Sequence, residues 1–161
     1  MFVIGESLVE LYARHKWKFV KRGDRAYVVA LQGETQKFDF WAFINKGGVM
    51  LALYALVPLI VPAAKRNAVG EFLHMVNFNM LLGSFEMDYK DGELRYKLCA
   101  DFDGEKPSLD AVGDLYDCAL ATVDRYFPSL AGMLFANLTP QQAIELVEGE
   151  IPKEERSSIV Q

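Results

Sequence analysis

The segment from Asn77 to Phe102 constrains the fold more than any other part of the chain, because it has the pattern of a β-hairpin. Asp91-Gly92 separates two runs of alternating apolar and charged residues, and this dipeptide is typical of a tight turn that needs positive φ. A two-residue turn here predicts opposite-charge pairs on one face, namely Lys90 with Glu93, Asp88 with Arg95 and Glu86 with Lys97. It predicts apolar pairs on the other face, namely Tyr89 with Leu94, Met87 with Tyr96 and Phe85 with Leu98. A one-residue slip would place apolar residues opposite charged ones, so we expect a well-defined register.

The rest of the chain alternates helical and strand-like patterns. Apolar spacing predicts a first helix over residues 4–16, and alternation predicts three strands over residues 27–31, 37–45 and 49–57. A second helix follows Pro62, and Ser108 is a predicted N-cap of a third helix, which we expect Pro128 to kink or end before further turns over residues 129–136. Thr139-Pro140-Gln141-Gln142 has the pattern of a capping box that opens a fourth helix through Val147. The order, one helix, three strands, one helix, two strands and two helices, predicts an α+β fold with about five strands.

Composition limits the class of protein. A length of 161 residues indicates one domain over residues 1–161, and we expect the polar segment 149–161 to be a flexible tail. The net charge of −5 argues against general nucleic-acid binding by the whole surface. Cys99 and Cys118 are too few for a disulfide framework and lack metal-ligand spacing. The first residues do not resemble a signal peptide, so we expect a reducing, cytoplasmic location.

Residues 49–64 are the one stretch that resembles a membrane span. They are apolar and uncharged, but 16 residues are fewer than the roughly 20 that a spanning helix needs. Pro58 and Pro62 would also interrupt a helix. The pattern therefore favours a buried strand followed by the start of a helix, and we expect no membrane association.

The strands on either side of Gly47-Gly48 carry two apolar faces. A turn at these glycines predicts one core face in which Ile44 pairs with Leu51, Ala42 with Leu53 and Phe40 with Ala55. The reverse face then carries Trp41, Phe43, Met50 and Tyr54, and the two sets cannot share one core. Either the first helix covers this second face with Leu8, Leu11 and Tyr12, or a second subunit or a client protein does. These four residues are the candidate protein-binding site.

Residues that support catalysis or metal binding are sparse. His74 and Glu71 are three residues apart on the second helix, but no third metal ligand is evident. No phosphate-binding glycine pattern and no nucleophile elbow occur, so we expect no catalytic residue, no metal and no cofactor. The run from Arg14 to Arg25 carries a net charge of +5 with Trp17 and Phe19 interleaved. Nucleic-acid binding through this run is a less favoured hypothesis than a solvated loop that pairs with the acidic tail.

Several motifs resemble those of a known family. They are Asn77, the stretch Leu82-Gly83-Ser84-Phe85-Glu86-Met87-Asp88, the stretch Asp91-Gly92-Glu93-Leu94-Arg95-Tyr96-Lys97, and the helix with Asp124 and Pro128. The chain is similar in these motifs to the YbjN-like family of bacterial and cyanobacterial proteins, a group of proposed sensory transduction regulators. The resemblance implies a twisted antiparallel sheet packed by helices, similar to type III secretion chaperones, which bind protein clients and commonly dimerise.

The resemblance carries no established catalytic motif. Together with the polar clusters that pairing explains, it favours a non-enzymatic protein-binding module with a regulatory or chaperone-like role, whose partner is a protein client or a second copy. The alternative is a small-ligand sensor or an enzyme that uses a pocket between sheet and helices.

Overall fold

Helices cover one face of a six-stranded antiparallel sheet in residues 2–149, the part of the chain that the computed structural model describes. The elements are α1 (Val3–Arg14), β1 (Phe19–Arg22), β2 (Ala26–Gln32), β3 (Lys37–Ile44), β4 (Met50–Ile60), a 3-10 turn (Ala63–Lys65), α2 (Arg66–Asn79), β5 (Ser84–Met87), β6 (Glu93–Asp101), α3 (Leu109–Phe135) and α4 (Pro140–Glu148). The α+β class and the predicted order of elements are confirmed. The expected flexible tail, apart from Gly149, lies outside the described residues.

The sheet has the strand order β1-β2-β3-β4-β6-β5, with every neighbouring pair antiparallel. It has six strands rather than the expected five, because Phe19–Arg22 pairs with Val29–Ala26 of β2. All four residues of this added strand are exposed, so it has no alternating burial that a pattern could reveal. Pairing with β2 defines this strand, and the expectation of a connector loop from Arg14 to Arg25 was wrong over these four residues.

The predicted register of β3 and β4 is confirmed. Ile44 lies opposite Leu51, Ala42 opposite Leu53 and Phe40 opposite Ala55. The turn is held by Asn45, whose Oδ1 accepts hydrogen bonds from the backbone N–H groups of Val49 and Met50 at 3.0 and 3.2 Å. Gly48 has a φ of +75°, which glycine adopts without steric cost.

The predicted register of the β5–β6 hairpin was wrong by two residues. Glu86 lies opposite Arg95, not Lys97, and Phe85 lies opposite Tyr96, not Leu98. The remaining predicted pairs are lost in the same way, namely Lys90 with Glu93, Asp88 with Arg95, Tyr89 with Leu94 and Met87 with Tyr96. A shift of two residues keeps every side chain on its predicted face, so one face stays charged and the other apolar.

The loop chemistry explains this shift. Asp88 N–H donates to the Glu93 carbonyl at 2.9 Å, and Gly92 N–H donates to the Asp88 carbonyl at 2.7 Å, so the loop contains four residues instead of two. Asp88 and Asp91 also accept hydrogen bonds through their carboxylates from the N–H groups of Lys90 and Glu93. Gly92 has a φ of +83°, whereas Asp91 does not have positive φ, so the primed turn does not form.

The core lies between the sheet and the helices. Its largest fully buried side chains come from α1, β2, β3, β6, α2 and α3, namely Tyr12, Tyr27, Phe38, Phe40, Tyr96, Phe72 and Tyr116. The apolar spacing of the second helix predicted a buried stripe of Val69, Phe72, Leu73, Val76 and Met80; the first four are buried, whereas Met80 follows the end of the helix and is half-buried. Residues 49–64 form β4 and the start of the 3-10 turn, and no helix within residues 2–149 has the length and apolar character for a membrane crossing.

Helix α3 runs through Pro128 without ending, so the expectation of a stop was wrong, and the further turns expected over residues 129–136 continue the same helix to Phe135. Proline has no N–H to donate to the Asp124 carbonyl four residues earlier. The Thr35 hydroxyl lies 3.5 Å from that carbonyl, but it donates its one proton to the closer carboxylate of Asp124. The predicted caps are confirmed, because Ser108 Oγ accepts from Ala111 N–H and Thr139 forms a complete capping box.

Candidate functional site

The face of the sheet that points away from the helices, called here the outer face, carries all four candidate binding residues. Trp41 and Phe43 lie on β3, Met50 and Tyr54 lie on β4, and the alternation of the strands directs their neighbours into the core. The rings of Trp41 and Phe43 stack with centroids 5.8 Å apart and an interplanar angle of 13°. The Phe43 and Tyr54 rings meet edge to face at 5.8 Å. Three aromatic residues therefore form one cluster, and Met50 shares their face.

No helix of residues 2–149 covers this cluster. Phe43 is 40 % exposed and Met50 is 38 % exposed, while Trp41 and Tyr54 are half-buried. The side chains that α1 buries, namely Ile4, Leu8, Leu11 and Tyr12, belong to the core on the opposite side of the sheet. The hypothesis that the first helix covers the second apolar face was therefore wrong, because α1 packs against α3 and the core face.

Cationic groups border the aromatic cluster on the β6 side. The Arg95 guanidinium lies 4.5 Å from the centre of the Tyr54 ring, a distance typical of a cation–π contact. Arg95 Nε donates to Glu86 Oε2 at 2.7 Å, and Lys97 Nζ donates to the other oxygen of the same carboxylate. Burial opposes ionisation of Glu86, but the hydrogen bonds and charges of Lys97 and Arg95 lower its pKa below the usual value. Glu93 and Asp101 also lie on the outer face of β6, so this border carries charges of both signs.

A shallow groove of about 420 Å³ lies beside the cluster. Its lining residues are Trp41, Phe43, Tyr54, Leu56, Glu93 and Arg95. The groove combines aromatic walls with one cation, Arg95, and one carboxylate, Glu93. Such a surface suits an apolar side chain flanked by a polar group, and it contains no arrangement of a nucleophile and a base.

A second concave region of about 710 Å³ lies between the β2–β3 turn, α3 and α4. Its lining includes the buried Asp124, whose carboxylate accepts hydrogen bonds from Glu34 N–H at 2.7 Å and Thr35 N–H at 2.9 Å, as well as from the Thr35 hydroxyl. Burial would raise the pKa of Asp124, but the hydrogen bonds from Thr35, Glu34 and Gln36 outweigh it and lower the pKa. This carboxylate is occupied by the turn, which favours a structural role over ligand binding.

Sequence reasoning did not assign this role to Asp124. Its partners lie about 90 residues earlier in the chain, and a lone aspartate within a helical pattern does not indicate a turn contact. The available signal was the resemblance, which included Asp124 and Pro128 among the matching residues.

The basic run contributes its aromatic rings to the protein's own packing. Trp17 stacks on His15 with centroids 4.7 Å apart and meets Tyr116 edge to face at 5.7 Å. Phe19 lies 5.0 Å from the Tyr12 ring. Rings held in this way are not arranged as a platform for stacking nucleotide bases.

The other residues singled out from the sequence do not converge. His74 and Cys99 are exposed at separate places, on α2 and on the outer face, and Cys118 is half-buried on α3. Within residues 2–149, no three His, Cys, Asp or Glu side chains are grouped so that they could hold a metal ion.

Comparison with known proteins gives one family. The family model of YbjN, described as a putative bacterial sensory transduction regulator, matches residues 5–132. No curated protein matches the chain. The matched range extends from α1 to the last turns of α3 and includes the whole sheet. The chain therefore belongs to the YbjN family.

Proposed function

We propose that this protein is a non-enzymatic regulator that binds a partner protein through Trp41, Phe43, Met50 and Tyr54 on the outer face. The single observation that carries the proposal is the exposed cluster of stacked aromatic rings on a sheet face that α1 leaves uncovered. The family description of a sensory transduction regulator supports a regulatory role.

The energetics favour a covered cluster. Complete burial of a large apolar side chain stabilises a protein by roughly 1.5–3 kcal/mol, so several such side chains on one face provide substantial binding energy. Aromatic residues and arginine are enriched at the centres of protein interfaces, and Trp41, Tyr54 and Arg95 are adjacent here.

The charges beside the cluster indicate what the partner carries. Arg95 and Lys97 share the one carboxylate of Glu86, and on the other side Arg22 is separated from Phe43 by Ala26 alone. A partner surface that is apolar at its centre, with acidic groups placed opposite Arg95 and Arg22, complements this arrangement. A client protein of this kind is the proposed occupant, in keeping with the likeness to type III secretion chaperones that the resemblance implies. Cys99 and Cys118 are both free thiols, which supports the proposed reducing compartment.

The test compares two glutamate substitutions of exposed phenylalanines. Phe43→Glu places a charge in the cluster, whereas Phe78→Glu places the same charge on α2, where Phe78 is 84 % exposed. Each full-length variant is immobilised, proteins from an extract of the native organism are captured, and captured proteins are identified by mass spectrometry. We expect Phe43→Glu to lose the specific partner and Phe78→Glu to retain it, with both variants folded by circular dichroism.

Two results would contradict this proposal. Retention of the same partner by folded Phe43→Glu would exclude the outer face as the binding site. A wild-type dimer that becomes a monomer only in Phe43→Glu, measured by light scattering, would identify the occupant as a second copy instead of a client.

A further inference from the structure

Strand β1 is an edge strand whose free side can be assigned residue by residue. Two hydrogen bonds join the ends of β2 to β3: Ile44 N–H donates to the Arg25 carbonyl, and Gly33 N–H donates to the Gln36 carbonyl. Because Arg25 and Gly33 are odd-numbered, the odd-numbered residues of β2 between them also bond to β3. Even-numbered residues of β2 therefore bond to β1, because antiparallel strands alternate the side to which their backbone groups point. In the observed register these partners in β1 are Val20 and Arg22. The N–H and carbonyl groups of Phe19 and Lys21 consequently point away from the sheet.

The opposite edge of the sheet is capped at its centre. The side-chain amide of Asn77 on α2 donates to the Phe85 carbonyl at 2.9 Å and accepts from the Phe85 N–H at 2.8 Å, as a neighbouring strand would. β5 therefore has its central residue already bonded on its outer side. Within residues 2–149, β1 is therefore the edge that is more open to an added strand.

The charge around β1 determines which strand can add. Lys18, Lys21, Arg22 and Arg25 lie on or beside the strand, and Asp24, 4.0 Å from Lys21 Nζ, is the nearby carboxylate. Basic edge strands repel one another, so two copies of this chain are disfavoured as edge-to-edge partners. An acidic strand would instead be attracted.

We propose that β1 is the docking edge for an extended, acidic segment of the partner protein, which adds to the sheet as a seventh strand. The inference rests on the proposed function, since it names a second element of the same partner. On the outer face the added strand lies beside Val20 and Arg22, on the same face as Trp41 and Phe43. An alternating segment places its acidic residues on one face, beside Arg22, and its apolar residues on the other, beside Phe19, and backbone hydrogen bonds to Phe19 and Lys21 supply the pairing.

The first measurement uses defined peptides. A fluorescently labelled octapeptide of alternating glutamate and valine is titrated with the full-length protein and followed by anisotropy. Its controls are the peptide with lysine in place of glutamate and the peptide with every backbone nitrogen methylated, which has no N–H donor on either edge. We expect each control peptide to bind at least about tenfold more weakly than the acidic peptide. The lysine peptide lacks charge complementarity, and the N-methylated peptide lacks N–H donors.

The second measurement separates backbone from charge in the protein. Lys21→Pro removes the outward N–H and the charge, whereas Lys21→Ala removes the charge alone, and neither changes the N–H groups that bond to β2. Proline is tolerated on edge strands when its missing N–H would face solvent. We expect Lys21→Pro to bind the acidic peptide about tenfold more weakly than Lys21→Ala does.

Hydrogen exchange is measured on the wild-type protein, so the result does not depend on how a substitution affects folding. On peptide binding, the amides of Phe19 and Lys21 are expected to gain about tenfold protection, while those of Val20 and Arg22, already bonded to β2, change little. Failure of the acidic peptide to bind, equal binding by the lysine peptide, or protection confined to β3 and β4 would overturn the inference. Equal binding of single-stranded DNA at the same amides would also overturn it and assign the edge to nucleic acid.

Failure of this inference can be distinguished from failure of the proposed function. If Phe43→Glu abolishes partner capture and Lys21→Pro leaves it unchanged, the outer face stands and the edge does not. If Lys21→Pro weakens capture and folded Phe43→Glu does not, the edge binds a partner that the outer face does not contact.

Discussion

The carboxylate of Asp124 on α3 accepts the backbone N–H of Thr35 at 2.9 Å and thereby ties the β2–β3 turn to the longest helix. The turn approaches so closely that a Cβ added at Gly33 would lie 2.6 Å from the Asp124 carboxyl carbon. Because the side chain is buried and accepts three hydrogen bonds, its replacement should be costly.

We expect Asp124→Asn to lower the free energy of unfolding by about 1–3 kcal/mol, because the amide nitrogen would face backbone donors and leave one unsatisfied. Urea denaturation followed by circular dichroism measures the change. Asp117→Asn is the matched control, since Asp117 lines the same concave region on α3 but is exposed. Equal effects of the two substitutions would show that the turn contact does not stabilise the fold.

The same carboxylate predicts a dependence of stability on pH. The pKa of Asp124 is lowered in the folded protein, so its contribution is complete above the unfolded value of about 3.9 and is lost as the pH falls below that value through the folded pKa. The difference in unfolding free energy between wild type and Asp124→Asn should therefore be constant near neutral pH and shrink in acid. A difference that stays constant down to the acid limit of folding would contradict this assignment.

Gly92 closes the β5–β6 loop against the chain that follows β4. A Cβ at this position would lie 2.1 Å from the Val61 carbonyl oxygen, and the φ of +83° adds strain for any other residue. We expect Gly92→Ala to destabilise the protein by clearly more than the about 1 kcal/mol that positive φ alone costs. Gly23→Ala is the control, because Gly23 has a φ of +64° with no atom within 4 Å of an added Cβ. Thermal unfolding of the two variants measures the difference, and equal midpoints would exclude the clash.

Sequence patterns predicted the elements whose faces are decided by burial. The β3–β4 register was predictable because Phe40, Ala42 and Ile44 must share the core face with their partners. The four-residue strand β1 could not be predicted, since all its residues are exposed and only the pairing with β2 defines it. The outer aromatic face followed from alternation, but its exposure depended on the position of α1, which no local pattern determines.

The remaining errors have local causes. Asp91-Gly92 indicated a two-residue turn, yet the carboxylates of Asp88 and Asp91 bond to loop N–H groups and stabilise a longer loop. Pro128 indicated a helix end, yet α3 continues, and Leu130 and Met133 after the proline are buried in the core. In the loop, side-chain hydrogen bonds outweighed the usual preference of the dipeptide, and in the helix, burial of the turns after Pro128 outweighed that of the proline. The assignment of residues 1–161 to a single domain stays a prediction.

The observed hairpin register determines which charged pair contributes to stability. Glu86 faces Arg95 and accepts its Nε at 2.7 Å, whereas Asp88 lies in the loop and bonds to Lys90 N–H. We expect a double-mutant cycle of Glu86→Ala and Arg95→Ala to give a coupling of about 0.2–1 kcal/mol, reduced by solvent because both side chains are partly exposed. The matched cycle of Asp88→Ala and Arg95→Ala should give a coupling near zero. A larger coupling for Asp88 than for Glu86 would support the two-residue turn predicted from the sequence over the observed four-residue loop.

The hydroxyls of Tyr12 on α1 and Tyr116 on α3 form a buried hydrogen bond at 2.5 Å, which joins the two helices over the core. Burial raises the pKa of both hydroxyls, so both stay neutral at physiological pH and one can donate to the other. We expect Tyr116→Phe to lower the unfolding free energy by about 1–3 kcal/mol, because it leaves the Tyr12 hydroxyl buried without a partner. Adding Tyr12→Phe to this variant should recover part of the loss, since no buried hydroxyl of the pair then remains. Urea denaturation of the two single variants and the double variant measures the three values. If the loss in the double variant, relative to wild type, equals the sum of the two single losses, the two hydroxyls act independently.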